Sequence, residues 1–170
     1  MTKSITRRSF LAASLAAGAL PAIIPAGVVR AQDGKPTPSN RTTFALIGCG
    51  NMGPAGMKVV LKNKDAQVIA TCDTFKSRRE RGAKLVDETY QTTGCAAYGD
   101  FRDLLARKDL DCVEIATADH WHVPLALYAV RAGKDVYVEK PLGTAVNWAR
   151  ILRDEVTKRR AVFQFGTWQR

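Results

Sequence analysis

Thr42-Thr43-Phe44-Ala45-Leu46-Ile47-Gly48-Cys49-Gly50-Asn51-Met52-Gly53 decides the fold. A short apolar run ends on glycine, and the glycines then fall in the pattern G-x-G-x-x-G. The run reads as a strand. Gly53 to Asn63 reads as a helix, with Met57, Val60 and Leu61 on one face. A strand, a glycine turn and a helix form the context in which this motif holds a pyrophosphate: Gly48 for the tight turn, Gly50 for close backbone approach, Gly53 for helix–strand packing. Asn51 and Met52 complete the loop, and the amides of the helix N-terminus supply donors to an anion. Ala66-Gln67-Val68-Ile69-Ala70-Thr71-Cys72 is a second strand, and Asp73 follows it directly. A carboxylate at that place accepts from an adenosine ribose and repels a 2′-phosphate, which favours NAD over NADP. Lys76, Arg78 and Arg79 lie close enough to hold that phosphate instead, so NADP stays open. Asp73 is also a candidate cap for the next helix.

The alternation continues to the end of the chain. Ser77–Gln91 is a charged helix with Ala83, Val86 and Tyr90 inward, and Ala96–Tyr98 is a short strand. Asp100 caps a helix that buries Phe101, Leu104 and Leu105, with Asp103 placed for a capping box. Asp111–Thr117 is the fourth strand. His122–Ala132 is a helix that tolerates Pro124 in its first turn and ends at Gly133. Asp135–Glu139 is the fifth strand. Thr144 caps a helix to Arg159 with Ala145, Ala149, Leu152 and Val156 on one face, and Ala161–Phe165 is the sixth strand. Six strands joined by helices imply an α/β fold, a doubly wound parallel sheet of order 3-2-1-4-5-6 (the Rossmann arrangement). Its ligands bind at the carboxyl ends of strands 1 and 4.

Composition agrees. With 170 residues, 46% hydrophobic and 25% charged, the chain is globular in make-up, not disordered or low-complexity. Of the net charge of +10, Lys3, Arg7, Arg8 and Arg30 supply four in a leader without acids. The remaining excess is dispersed. Lys76–Arg81 and Lys158–Arg160 fall in helices without interleaved aromatics and read as solvated helix faces rather than a nucleic-acid platform. Cys49, Cys72, Cys95 and Cys112 form no C-x-x-C pair and read as small buried hydrophobes. His120 and His122 lack a third partner, so no metal site is expected.

The first residues read as an address. Met1–Arg8 is basic, Phe10–Ile24 is apolar and uncharged, and Val29-Arg30-Ala31 fits a cleavage site before Gln32. The apolar run falls short of the ~20 residues of a membrane span. Thr6-Arg7-Arg8-Ser9-Phe10-Leu11 resembles the twin-arginine motif, with Ala12 where lysine is common. The domain plan is therefore a twin-arginine signal over 1–31, a polar linker over 32–41 and a dinucleotide-binding domain over 42–170. Export by the twin-arginine machinery to the periplasm is the expectation.

Two further loops carry chemistry. Thr117-Ala118-Asp119-His120-Trp121-His122 follows strand 4, where polar groups would line the crevice beside a nicotinamide. The plainer reading is a cap at Asp119 beside an exposed aromatic. Glu139-Lys140-Pro141 follows strand 5 and can set an ammonium beside a sugar hydroxyl; a lone surface turn is the plainer reading.

Taken together, GCGNMG, the Cys72-Asp73 pair, Asp119-His120-Trp121-His122 and AGKDVYVEKPLG (132–143) resemble the Gfo/Idh/MocA family of glucose–fructose oxidoreductases and inositol dehydrogenases, over residues 42–170. The resemblance implies an NAD(P)-dependent oxidoreductase acting on a sugar, polyol or related hydroxyl compound. It implies that Lys140 assists at the substrate hydroxyl and nicotinamide, and that His122 borders the cofactor. It also implies a second α/β domain carrying the substrate pocket and the oligomer contacts. This chain stops where that domain would begin, so the expectation is a truncated chain, inactive alone. Two alternatives are an NAD-dependent glycosidase of the same fold, whose motif at strand 5 usually lacks the lysine, and a non-catalytic dinucleotide-binding fragment.

Overall fold

The computed structural model describes residues 40–167. The export signal read in residues 1–31, and all of the linker before Asn40, lie outside the described residues.

The elements in chain order are β1 (Thr42–Ile47), α1 (Gly53–Leu61), β2 (Ala66–Cys72), α2 (Lys76–Tyr90), β3 (Ala96–Tyr98), α3 (Phe101–Leu105), β4 (Cys112–Ile115), α4 (Asp119–Arg131), β5 (Asp135–Glu139), α5 (Val146–Arg159) and β6 (Phe163–Gly166). They build one six-stranded sheet of order β3-β2-β1-β4-β5-β6, parallel throughout. This is the doubly wound arrangement expected from the alternation.

Successive residues of a strand face opposite sides, so the central strands feed two cores. Ala45, Ile47, Val113, Ile115, Val136 and Val138 pack with α4 and with Leu152 of α5. Leu46, Val68 and Ala116 pack on the other side with Met57 and Leu61 of α1 and Val86 of α2. The seam between the two halves is the β1–β4 pairing, Phe44 beside Cys112 through Ile47 beside Ile115. Its amino end is clasped by Thr43. The Thr43 amide and hydroxyl donate to Asp111 Oδ2 at 2.9 Å each, and the Asp111 amide donates to Thr43 Oγ1 at 2.9 Å.

Several boundaries differ from the expectation. β4 runs only from Cys112 to Ile115; Asp111 still bonds both neighbouring strands through its backbone, and Thr117 turns into the next loop. α4 starts at Asp119, not His122: Ala118 is the extended N-cap, and the Trp121 amide bonds its carbonyl at 2.8 Å. Asp119 is therefore the first helical residue and no side-chain cap. Pro124 lies in the second turn rather than the first. Its missing N–H leaves the carbonyl of His120, an exposed residue, to solvent. α5 starts at Val146 with Ala145 as N-cap, and Thr144 makes no cap bond. Only Leu152 of its expected inner face is fully buried. The first half of the Asp100 cap is present, its carboxylate accepting from the Arg102 amide at 2.8 Å.

Candidate functional site

The site is built where β1 and β2 end. Gly48 adopts φ +98°, and a Cβ there would run into the Ala116 carbonyl of the neighbouring strand. Only glycine makes this turn. Gly53 is buried, with no room between the Gly48 carbonyl and the Leu46 side chain. Gly50 is different: a Cβ there would meet nothing within 4 Å. Its face is open for another molecule to lie against the backbone.

α1 begins beside this opening. Met52 is its N-cap and supplies no side-chain hydrogen bond, and no acid stands in the first turn. The positive end of the helix is thus left for an external anion. Those residues fit the pyrophosphate of a dinucleotide.

Asp73 holds the loop in place. Its Oδ2 accepts from the Cys49 amide at 2.8 Å, and its Oδ1 accepts from the Phe75 amide at 2.8 Å. Phe75, not Asp73, is the N-cap of α2. One carboxylate therefore ties the glycine loop to the β2–α2 turn and still edges the crevice. Cys49 is fully buried beneath, its thiol pushed up to about 12, first by burial and then by the Asp73 charge. It is a filler, not a nucleophile. Cys72 and Cys112 are likewise buried, whereas Cys95 is only half-buried.

The crevice is a cavity of about 610 Å³. Of the expected residues, Gly48, Gly50, Asn51, Met52, Asp73, Arg78 and Thr117 line it. Arg78 is the one basic side chain of the three candidates to do so. Its guanidinium stacks on the Phe75 ring, 4.6 Å from the centroid. Lys76 pairs with Glu80, and Arg79 Nη1 donates to the carbonyls of Asp73 and Thr74 at 3.1 and 3.2 Å. Sequence reasoning missed Phe75, the Gly99–Arg102 turn, Trp121 and Leu125, which also line it. The strand order was the available signal for Gly99–Arg102, because β3 ends beside β2.

Asp119, His122, Glu139, Lys140 and Pro141 do not line this cavity. Asp119 is exposed at the start of α4. His122, 1% exposed, lies below as a staple between two loops. Its Nδ1 is 2.6 Å from the Pro141 carbonyl oxygen and its Nε2 is 3.1 Å from that of Thr117. Both oxygens only accept, so the neutral ring can donate to just one of them. The staple fixes the strand-4 loop against the turn that bears Lys140. Glu139 is buried and its Oε2 accepts from the Lys140 amide at 3.3 Å. Lys140 itself is exposed, and the Lys140–Pro141 bond is cis. Among the described residues, no three His, Cys, Asp or Glu side chains cluster to hold a metal, and no helix is long and apolar enough to cross a membrane.

Residues 42–167 match the family profile described as oxidoreductase family, NAD-binding Rossmann fold. A glycosyl hydrolase family 109 protein of Saccharopolyspora erythraea is 34% identical over 122 residues, 69% of this chain and 27% of its own length. Inositol 2-dehydrogenase 1 of the same organism is 34% identical over 128 residues, 74% of this chain and 36% of its own. The crystal structure of an NAD binding oxidoreductase from Klebsiella pneumoniae superposes with a TM-score of 0.62 at 26% identity, covering 74% of this chain and 34% of that one. The chain thus spans only about a quarter to just over a third of the length of these relatives. Matched over most of its length by the profile and carrying the sheet order and glycine turn that go with it, the chain belongs to the Gfo/Idh/MocA oxidoreductase family, whose NAD-binding Rossmann fold it supplies.

Proposed function

We propose that this chain is the dinucleotide-binding part of an oxidoreductase that acts on a sugar, polyol or related hydroxyl compound, with NAD preferred over NADP. The observation that carries it is the uncapped N-terminus of α1 beside the open face of Gly50, with the Asp73 carboxylate held at the edge of the same crevice. A nicotinamide dinucleotide, when bound, accepts the hydride. The chain's own work is to seat the pyrophosphate on the glycine loop, to meet the ribose at Asp73, and to present Lys140. Lys140 orients the substrate hydroxyl, its amine form taking the hydroxyl proton on oxidation and its ammonium form returning it on reduction, and the His122 staple holds the turn from which it projects.

Asp73 favours NAD by repelling a 2′-phosphate, and Arg78 is the side chain placed to oppose that preference. Calorimetric titration with NADH and with NADPH tests the reading. NADH should bind more tightly, and Asp73→Ser should narrow or reverse the difference. Absence of binding by either nucleotide would refute the dinucleotide site. In a full-length relative, Lys140→Met at the matching turn should leave NADH affinity nearly unchanged and lower kcat by about 10²-fold or more, the scale of a lost acid or base.

A second reading, an NAD-dependent glycosidase, is supported by relatives named as glycosyl hydrolases. Lys140 within Glu139-Lys140-Pro141 favours the dehydrogenase. The exported location follows from Thr6–Leu11. Arg7→Lys with Arg8→Lys should retain the protein in the cytoplasm, and undiminished export on fractionation would count against a twin-arginine route.

A further inference from the structure

The crevice has a second acid in its wall besides Asp73. Among the described residues, the charged side chains that line it are Asp73, Arg78, Asp100 and Arg102. Asp73 opens the β2–α2 connection and Arg78 lies in the first turn of α2, while Asp100 and Arg102 stand at the start of α3. The two connections are neighbours, because β3 pairs with β2 and the Asp73 amide donates to the Tyr98 carbonyl at 3.1 Å. Asp100 lies just beyond that carbonyl, and its charge reaches the Cys72 thiol directly before Asp73. A ribose seated at Asp73 would therefore turn its 2′-oxygen toward a rim built from both.

The two bases are held differently. The Arg78 guanidinium lies on the Phe75 ring. That of Arg102 lies over the Phe101 ring, 5.4 Å from its centroid, and Phe101 is braced edge-on by Tyr128 of α4 at 5.2 Å. Arg102 is also forked onto Asp100, with Nε 2.9 Å from Oδ1 and Nη2 2.7 Å from Oδ2. Asp100 Oδ1 accepts from the Arg102 amide as well, at 2.8 Å, which caps α3. The Arg102 side chain, and then its amide, hold the Asp100 carboxyl below its ordinary value, so it is charged at neutral pH. An exposed ion pair holds weakly. The guanidinium can swing away, but the capping carboxylate stays in place.

Resting on the dinucleotide reading above, we propose that Asp100 is a second determinant of cofactor choice, which occupies Arg102 and sets its own charge against a 2′-phosphate. NADP differs from NAD by one phosphate monoester, a charge of about −1.5 to −2 at pH 7. Arginine is the side chain whose planar fork matches such a group. Arg78 and Arg102 reach the same rim from adjacent connections and together would make a two-armed phosphate seat. Asp73 opposes that seat from the ribose contact itself. Asp100 opposes it by taking up one arm. NAD carries no charge at this place, so its binding is nearly indifferent to Asp100. That separates Asp100 from Asp73, whose carboxylate meets the ribose of both nucleotides.

Asp100→Asn removes the charge and keeps an acceptor for the Arg102 amide, and asparagine caps a helix as well as aspartate does. Calorimetry of the 170-residue chain with NADH and with NADPH reads the ratio of the two affinities. Asp100→Asn should move that ratio toward NADPH by about threefold or more, the scale of one exposed charge pair gained, and leave NADH affinity nearly unchanged. The gain should shrink as salt is raised. Arg102→Gln, which leaves Asp100 unopposed, should move the ratio toward NADH. The double variant should return close to wild type, because acid and base are lost together. Tight NADH binding with a ratio that Asp100→Asn does not move overturns this proposal and leaves the dinucleotide site standing. So does an equal loss of both nucleotides in Asp100→Asn, which would make the residue a cap alone, or the same shift in the double variant, which would leave Arg102 without a part. A wild-type chain that binds neither nucleotide overturns the dinucleotide reading and this proposal with it.

Discussion

Asp73 ties two loops together before any nucleotide arrives, and removing it should cost stability in the free chain. Its two oxygens accept from the amides of Cys49 and Phe75. In Asp73→Ala the Cys49 amide, on a fully buried residue, loses its partner, at a cost of about 1–3 kcal/mol for an unsatisfied buried donor. The Phe75 amide belongs to an exposed residue and recovers water, so its loss adds only about 0.5 kcal/mol. The sum is on the order of 2–3 kcal/mol, or roughly 6–12 °C in melting temperature for a domain of this size. Asp73→Asn keeps one acceptor. With its oxygen turned to Cys49 it should lose less than about 1 kcal/mol. Thermal melts by circular dichroism without nucleotide therefore rank wild type above Asn and Asn above Ala. If Asp73→Ala melts within a degree of wild type, the carboxylate is not what holds the glycine loop, and its role reduces to the ribose.

Gly50→Ala should fold normally yet bind NADH at least about tenfold more weakly by calorimetry, because its Cβ enters the open face that the pyrophosphate approaches. Gly48→Ala should fail at the level of folding, since φ +98° and the Ala116 carbonyl both oppose a side chain; a soluble variant with a wild-type melt would contradict this. Burial, and then the Glu139 charge, push the Glu114 carboxyl from its ordinary 4.5 up to about 7. The folded state thus holds the extra proton between those values, so stability falls as pH rises through that window and levels off above it. The loss is on the order of 3 kcal/mol between pH 5 and pH 8, and denaturant melts of Glu114→Gln should lack it. His122→Ala should lower the melting temperature by several degrees and make the Lys140 turn more susceptible to hydrogen exchange, because the buried ring that sits between the Thr117 and Pro141 carbonyls and donates to one of them is lost.

The order of the strands was legible because parallel strands buried on both faces read as apolar runs, and glycine, Asp and Pro punctuate them. The turn after β1 was legible because its geometry at Gly48 and Gly53 excludes side chains, which leaves glycines at fixed spacing. Helix starts were less so. Thr144 is the better capping residue, yet α5 begins one residue later at an alanine cap, and α4 begins three residues before the expected His122. Burial of charge was hidden as well. Nothing in the pattern around Gly133 marks Lys134 as buried, yet its ammonium donates to the carbonyls of Arg107 and Leu110 at 2.7 and 2.9 Å. Glu114 was passed over within Asp111–Thr117. A single acid inside an otherwise apolar central strand was the available signal.

The seam between β1 and β4, clasped by Thr43 and Asp111, has a consequence for the order of assembly. Thr43 and Asp111 are 68 residues apart in sequence, whereas β1–β2 and β4–β5 close shorter loops. Each half can form as a local unit before the long loop between them pays its closure entropy. The crevice exists only once Ala116 meets Gly48 across that seam. A nucleotide bound in the crevice as proposed would recognise the joined halves and not either one alone. It should therefore leave the refolding rate almost unchanged and slow unfolding, lengthening the lifetime of the native chain rather than hastening its arrival.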